Sequence, residues 1–157
     1  MKLISNTFFK NYKQRKAVPG MAERFGKILE KNPSRAPSAL FFLSGSPNQL
    51  SASIEKFLDY HHFPKHVLLT KKIHGKASVS LFEQFHYKAE KIGALIRMYP
   101  GMKWVLFGDN GENDKEVYTY IGKKYPEKIE GIFIRDIHSG LFREEKLKEG
   151  KQGQLEK

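Results

Sequence analysis

The stretch Trp104-Val-Leu-Phe-Gly-Asp-Asn-Gly-Glu-Asn-Asp-Lys-Glu116 decides how this chain folds. Its apolar run, residues 104–107, stops at Gly108, and Asp109, Glu112, Asp114 and Glu116 then crowd into a short acidic segment. The run is short and does not alternate polar with apolar residues, which predicts a strand buried on both faces. Val117, Tyr120 and Ile121 recur at helical spacing just beyond, so a helix is expected to begin near Asp114.

The same alternation runs along the rest of the chain. Residues 39–43, 67–69 and 132–134 are three more short apolar runs. Helical spacing recurs in Met21, Phe25, Ile28 and Leu29 after Pro19-Gly20, and in Leu50, Ile54, Phe57 and Leu58 after Ser46-Pro47. A longer helix is marked by Phe82, Phe85, Ala89, Ile92 and Ile96. Strands alternating with helices are the pattern of an α/β fold with a parallel sheet. Residues 1–140 read as one domain, and a chain of 157 residues can bury a real core. Residues 141–157 are charged and interrupted by glycine, and read as a flexible tail.

Composition narrows the class. The chain is 39% hydrophobic and 29% charged, with a net charge of +11, as suits a soluble globular protein. Its longest apolar run, residues 39–43, is far short of the ~20 residues that cross a bilayer. The first residues lack the apolar core of a signal peptide. The absence of cysteine excludes disulfides and zinc–thiolate sites, and a cytoplasmic location is expected. Residues 1–35 hold nine Lys and Arg against Glu23 and Glu30, which is +7 of the +11. A basic end suits an anionic partner such as phosphate, acidic lipid or nucleic acid, and the plain alternative is a solvated face.

In an open α/β sheet, ligands bind outside the carboxyl ends of the strands. The residues there are Ser44-Gly-Ser-Pro47, Thr70-Lys-Lys72, Gly108-Asp-Asn-Gly111 and Arg135-Asp136. In the first, Ser46 is placed to cap a helix with Pro47 in its first turn, and Ser44 and the Gly45 N–H could hold phosphate oxygens. The alternative is an ordinary capped turn. Asp109 and Asp114 suit a hard divalent cation, since magnesium takes oxygen ligands and usually one or two carboxylates. Asp114 reads otherwise as a helix cap, and Glu112 and Glu116 as acids favouring the helix dipole. Lys88 falls at the rim of the Phe85/Ala89/Ile92/Ile96 face, where a lysine normally reaches for water, unless it points at phosphate. His61, His62, His66 and His74 show no clear metal spacing, and His86 and His138 are isolated, so none is expected to be a ligand.

Taken in order, these pieces carry a resemblance. Ser5-Asn-Thr-Phe-Phe9, Ala17-Val-Pro-Gly-Met21, Leu43-Ser-Gly-Ser-Pro47, Tyr87-Lys88, Phe107-Gly-Asp-Asn-Gly-Glu-Asn-Asp114 and Phe133-Ile-Arg-Asp136 span nearly the whole chain. It resembles the catalytic domain of the actin-patch-associated phosphatidate phosphatases and their bacterial relatives, within the haloacid-dehalogenase-like superfamily. The resemblance implies a three-layer, Rossmann-like domain around a parallel sheet. It implies magnesium as cofactor and phosphatidate or another phosphomonoester as substrate. It also implies an aspartate nucleophile, with a second aspartate two residues on as general acid and base. Ser44 would hold the phosphoryl group, Lys88 would neutralise it, and Asp109 and Asp114 would complete the metal site.

One piece of the pattern is missing. The resemblance places a central strand ending in Asp-x-Asp-Asp-Thr ahead of Asn-Thr-Phe. The aspartates of this chain are Asp59, Asp109, Asp114 and Asp136, and no two are two residues apart. The expectation is therefore a domain truncated at its N-terminus, lacking its first central strand and inactive as it stands. The alternative is a non-catalytic module that binds anionic lipid or phosphate through the aromatic–basic run Thr7-Phe-Phe-Lys-Asn-Tyr-Lys-Gln-Arg-Lys16, at the periphery of a membrane. Nucleic-acid binding rests on net charge alone and is not expected.

Overall fold

Each apolar run read as a strand becomes one. The computed structural model of the chain describes residues 13, 16–31, 38–72 and 81–146. The elements among them are α1 (Met21–Glu30), β1 (Phe41–Pro47), α2 (Ser51–Tyr60), β2 (Val67–Lys71), α3 (Leu81–Met98), β3 (Trp104–Asp109), α4 (Asp114–Lys124), β4 (Ile129–Arg135) and β5 (Phe142–Glu144). A single turn of 3-10 helix, Asn48–Leu50, leads into α2. The chain divides into two compact units between Ser78 and Val79. The Asn-Thr-Phe segment, most of the basic run and His74 lie outside the described residues.

In the first unit β1 and β2 pair in parallel, with Phe41 beside Val67, Phe42 beside Leu68 and Leu43 beside Leu69. The apolar face of α2 buries Ile54, Phe57 and Leu58 against Ala17, Phe42, Leu50, Phe63 and Leu68. Phe25 from α1 reaches the same cluster, its ring centroid 6.0 Å from Phe42 and 6.2 Å from Phe63. Burying each of these large side chains stabilises by about 1.5–3 kcal/mol. The end of α2 is closed by backbone bonds from the His62 N–H to the Asp59 carbonyl and from the Phe63 N–H to the Leu58 carbonyl. His62 takes a left-handed conformation, φ 59°, to turn the chain back towards β2.

In the second unit β3 and β4 pair in parallel, with Leu106 beside Ile132, Phe107 beside Phe133 and Asp109 beside Arg135. β5 adds antiparallel on the far side of β4. Buried residues of the helices, Ile92, Ile96, Val117 and Ile121, and of the strands, Leu106, Ile132 and Ile134, make the core. The opposite face carries Phe107 stacked on Phe133, centroids 5.0 Å apart, with Phe142 edge-on at 6.0 Å from Phe107.

The strands form two sheets, β1–β2 and β3–β4–β5, compatible with an α/β fold, and the described residues supply no further strand to join them. Two expectations are corrected. The strands are not fully buried on both faces. β4 alternates, with Ile129, Ile132 and Ile134 buried, Glu130 exposed and Phe133 and Arg135 half-buried, because helices cover its other face and only an aromatic row covers this one. The segment read as a tail begins with β5, which Phe142 anchors to the aromatic row and which the Lys115–Glu145 ion pair extends at 3.2 Å. Among the described residues, no helix is long and apolar enough to cross a membrane.

The core assignment is open to measurement. Ile132 is 1% exposed at the centre of the second sheet, whereas Phe82 is 71% exposed. Ile132→Ala is expected to cost about 2–5 kcal/mol in urea unfolding. Phe82→Ala should change stability by no more than about 0.5 kcal/mol. Equal losses from the two would refute the core as drawn.

Candidate functional site

The acidic stretch after β3 folds around one lysine. Lys88 donates to Oδ1 of Asp114 at 2.5 Å and to Oε2 of Glu112 at 3.0 Å. Its residue is only 5% exposed. Lys88, Ile92 and Ile96 succeed one another at four-residue steps on α3, so the lysine belongs to the buried stripe and not to its rim. This corrects the helical-wheel reading. Lys88 stays inside because the loop before α4 brings carboxylates to it.

Asp114 is held from a second side. Its Oδ2 accepts the backbone N–H of Asp109 at 3.2 Å, which ties the end of β3 to the first turn of α4. That contact requires Gly108. A Cβ there would lie 2.6 Å from Cβ of Asp114 and 2.7 Å from Cε2 of Tyr118. Asp109 turns its own Oδ1 to the N–H of Gly111 at 2.9 Å, and its Oδ2 is not engaged among the described residues. Tyr118, one turn beyond Asp114, donates its hydroxyl to the Phe107 carbonyl at 2.9 Å.

The electrostatics follow from this packing. Burial opposes the charge on Lys88, but the Asp114 and Glu112 carboxylates outweigh it and hold the ammonium above its ordinary pKa. Burial acts to raise Glu112, yet Lys88 beside it helps to hold its pKa below the ordinary 4.5. Burial, and then the Asp114, Asp109 and Glu112 carboxylates, push the Tyr118 hydroxyl far up, so it remains a neutral donor. Asp114 and Glu112 thus share one ammonium. The carboxylate oxygens at the end of β3 are of the kind that bind a hard cation.

The assignments read from sequence fall as follows. Lys88, Asp109 and Asp114 come together in the second unit. Glu112 joins them as a direct partner of Lys88, which corrects its reading as mere helix-start electrostatics; Glu116 does sit in the first turn of α4. Asp114 is not a cap: the cap position is Asn113, with no side-chain cap bond. Tyr118 was missed, although its place four residues after Asp114 puts both on one helix face.

Ser44, Gly45 and Ser46 lie in the first unit. Ser46 does not cap a helix, because β1 continues through Pro47 and the 3-10 turn begins after it. Ser46 is instead buried, and its N–H donates to Oγ of Ser44 at 3.1 Å. Among the described residues, nothing lies within 4 Å of where a Cβ on Gly45 would stand. A hydroxyl pair, Ser51 and Thr70 at 2.9 Å, joins the start of α2 to the end of β2. At the end of β4, Asp136 accepts the His138 N–H at 2.9 Å and the Ser139 hydroxyl at 3.0 Å, and serves as the pin of a turn. Those bonds, the His138 N–H first, hold its carboxyl below the usual range.

Parallel strand pairs covered by helices define an α/β protein, with hydroxyls at the end of β1 in the first unit and carboxylates around a buried lysine at the end of β3 in the second. The chain belongs to the family described as phosphatidate phosphatase APP1, catalytic domain, which matches residues 1–136. It is 30% identical over 123 residues to an uncharacterised protein of Schizosaccharomyces pombe, covering 78% of this chain and 20% of that one. It is 29% identical over 96 residues to the phosphatidate phosphatase APP1 of Saccharomyces cerevisiae, covering 60% of this chain and 16% of that one. The chain therefore spans a fifth or less of the length of these curated relatives. No solved structure matches it.

Two substitutions test the geometry. Gly108→Ala should destabilise by about 1–3 kcal/mol through the clash with Asp114 and Tyr118. Gly45→Ala, where no described residue meets the added Cβ, should shift stability by less than about 0.5 kcal/mol. Thermal unfolding of the pair decides whether β3 and α4 are packed as described.

Lys88→Met strands two carboxylates and should cost about 3 kcal/mol. Adding Glu112→Gln and Asp114→Asn should restore part of that. The sign of the pH effect is set by the two shifts. Glu112 is depressed, so its contribution is full above 4.5 and is lost as pH falls through the lower folded value. Lys88 is raised, so its contribution is full below 10.5 and is lost as pH rises through the higher folded value. Urea unfolding against pH should therefore show an acid limb below 4.5 that is shallower in Lys88→Met. An unchanged acid limb would show that the pair is not formed.

Proposed function

We propose that the chain carries the metal- and phosphate-holding part of a magnesium-dependent phosphatidate phosphatase of the haloacid-dehalogenase-like kind. The observation that carries this reading is the cluster of Asp109, Glu112 and Asp114 around Lys88 at the end of β3. Family membership supports it.

Asp109 and Asp114 would hold the magnesium ion, Asp109 through the carboxylate oxygen it does not spend on Gly111. The donor set fits, because carboxylate oxygens are hard ligands. When bound, the ion supplies Lewis-acid polarisation of a phosphoryl oxygen. Lys88 then has the role of a fixed positive charge against the negative charge that builds on the phosphoryl group. In the first unit, the Ser44 hydroxyl and the Gly45 N–H are groups of the kind that take phosphoryl oxygens. The substrate class is a phosphomonoester lipid, phosphatidate foremost. A cytoplasmic protein of net charge +11 that works at the periphery of an anionic membrane fits that substrate.

Hydrolysis through an aspartyl-phosphate needs a nucleophile and a general acid that these 157 residues do not contain. The chain alone is therefore read as unable to turn over substrate while keeping its ion site. Purified chain should release no phosphate above background from phosphatidate in mixed micelles or from an aryl phosphate, with or without magnesium. Calorimetry should still detect magnesium binding, weakened at least ~10-fold in Asp109→Asn. Magnesium-dependent turnover lost in Asp109→Asn would sink the claim of inactivity. Magnesium binding indifferent to that substitution would sink the metal assignment.

A further inference from the structure

The first unit holds another group of ligand-type side chains, at the end of its sheet opposite the Ser44 loop. Glu55 and Asp59 stand one turn apart on α2, and His66 is the residue just before β2. One ligand atom from each lies within 4.8 Å of the other two. The six histidines showed no metal spacing in sequence because this group is assembled by the turn that closes α2, not by a regular interval.

The His66 ring is locked. Its side chain is only 6% exposed. Its Nδ1 lies 2.8 Å from the Pro64 carbonyl, an oxygen that can only accept, so the proton sits on Nδ1. Phe42 meets the ring edge-on at 5.2 Å and 81°, which restrains its rotation. The other nitrogen, Nε2, is thereby aimed at Oε2 of Glu55 at 2.6 Å. In a neutral imidazole so held, Nε2 presents a lone pair, and a lone pair facing a carboxylate oxygen at that distance is repulsive. The position therefore needs a positive charge between the two, either a proton or a bound ion. α2 adds to the demand, because carboxylates at i and i+4 repel and Asp59 lies at the negative end of the helix.

We propose that Glu55, Asp59 and His66 form a site for a divalent transition-metal ion of the zinc class. One imidazole nitrogen with two carboxylates is a donor set that favours zinc, nickel or copper over magnesium. A backbone carbonyl on the far ring nitrogen is the outer support that metal-bound histidines use. Ligand atoms sharing one tetrahedral zinc lie about 3.4 Å apart, and rotation of the exposed Asp59 side chain would close the remaining gap. With Asp59 exposed and Glu55 partly so, water can fill the open position of a three-ligand site. Loaded, the ion ties the last turns of α2 to the first residue of β2. This site is separate from Asp109 and Asp114 and stands or falls independently of them.

Zinc titration of the intact chain by calorimetry, with thermal unfolding in parallel, tests it. One zinc per chain should bind at this group and raise the unfolding temperature, and magnesium should not compete for it. Asp59→Asn, a change at an exposed residue, and His66→Gln should each weaken that binding at least ~10-fold. His86→Gln and His138→Gln should leave it unchanged. Far-UV circular dichroism checks that each variant folds. Zinc affinity unaltered by Asp59→Asn and His66→Gln, or no zinc bound at all, overturns the proposal and leaves His66 and Glu55 as a protonated ion pair.

Discussion

The second unit is organised by one carboxylate. Asp114 takes the Lys88 ammonium on one oxygen and the Asp109 N–H on the other. Those two bonds join three consecutive elements: α3, the end of β3 and the first turn of α4. Gly108 is the condition for both, since any side chain there occupies the space of Asp114 and Tyr118. Buried ion pairs add little net stability against well-packed apolar groups, but breaking one is costly. The cluster therefore fixes which groups meet at the end of β3, while the isoleucines and Val117 beneath supply the driving force.

Local pattern made much of the fold legible, and long-range partners account for what it missed. Residues 104–107 and the three other apolar runs became β1 to β4, and the four helical patterns became α1 to α4. Burial periodicity carries that information within a dozen residues. The Ser-Gly-Ser-Pro segment reads as a turn by composition, yet it continues β1 because Pro47 pairs with Lys71 across an irregular register. Lys88 reads as a rim residue because a lysine has no local reason to be buried. Its reason is Glu112 and Asp114, 24 and 26 residues away. Residues 141–157 read as a tail because no regular pattern marks a three-residue strand. β5 exists because Phe142 finds Phe107 and because β4 offers an edge.

The same distinction separates the two groups of ligand-type residues. Asp109 and Asp114 could be picked out from sequence because they follow a strand and a glycine within five positions. Glu55, Asp59 and His66 could not, because His66 is brought to α2 by the left-handed turn at His62 and oriented by the Pro64 carbonyl. A spacing search sees ligands on one helix or in one loop. It does not see a ring whose aim is set by the backbone on its far side.

Charge competition connects the proposed cation site to Lys88. Asp114 cannot give its full charge both to an ammonium and to a divalent ion. On the reading proposed above, a cation held by Asp109 and Asp114 draws that charge away and loosens the grip on Lys88. Glu112, on the loop ahead of α4, then becomes the partner that keeps the lysine in place. An ammonium relieved of one carboxylate is a better partner for phosphate. On that reading the lysine is inward and neutralised without the ion, and its positive charge would be available to a phosphoryl group with the ion bound. Such a coupling would give a basic chain a reason to place carboxylates around a buried lysine.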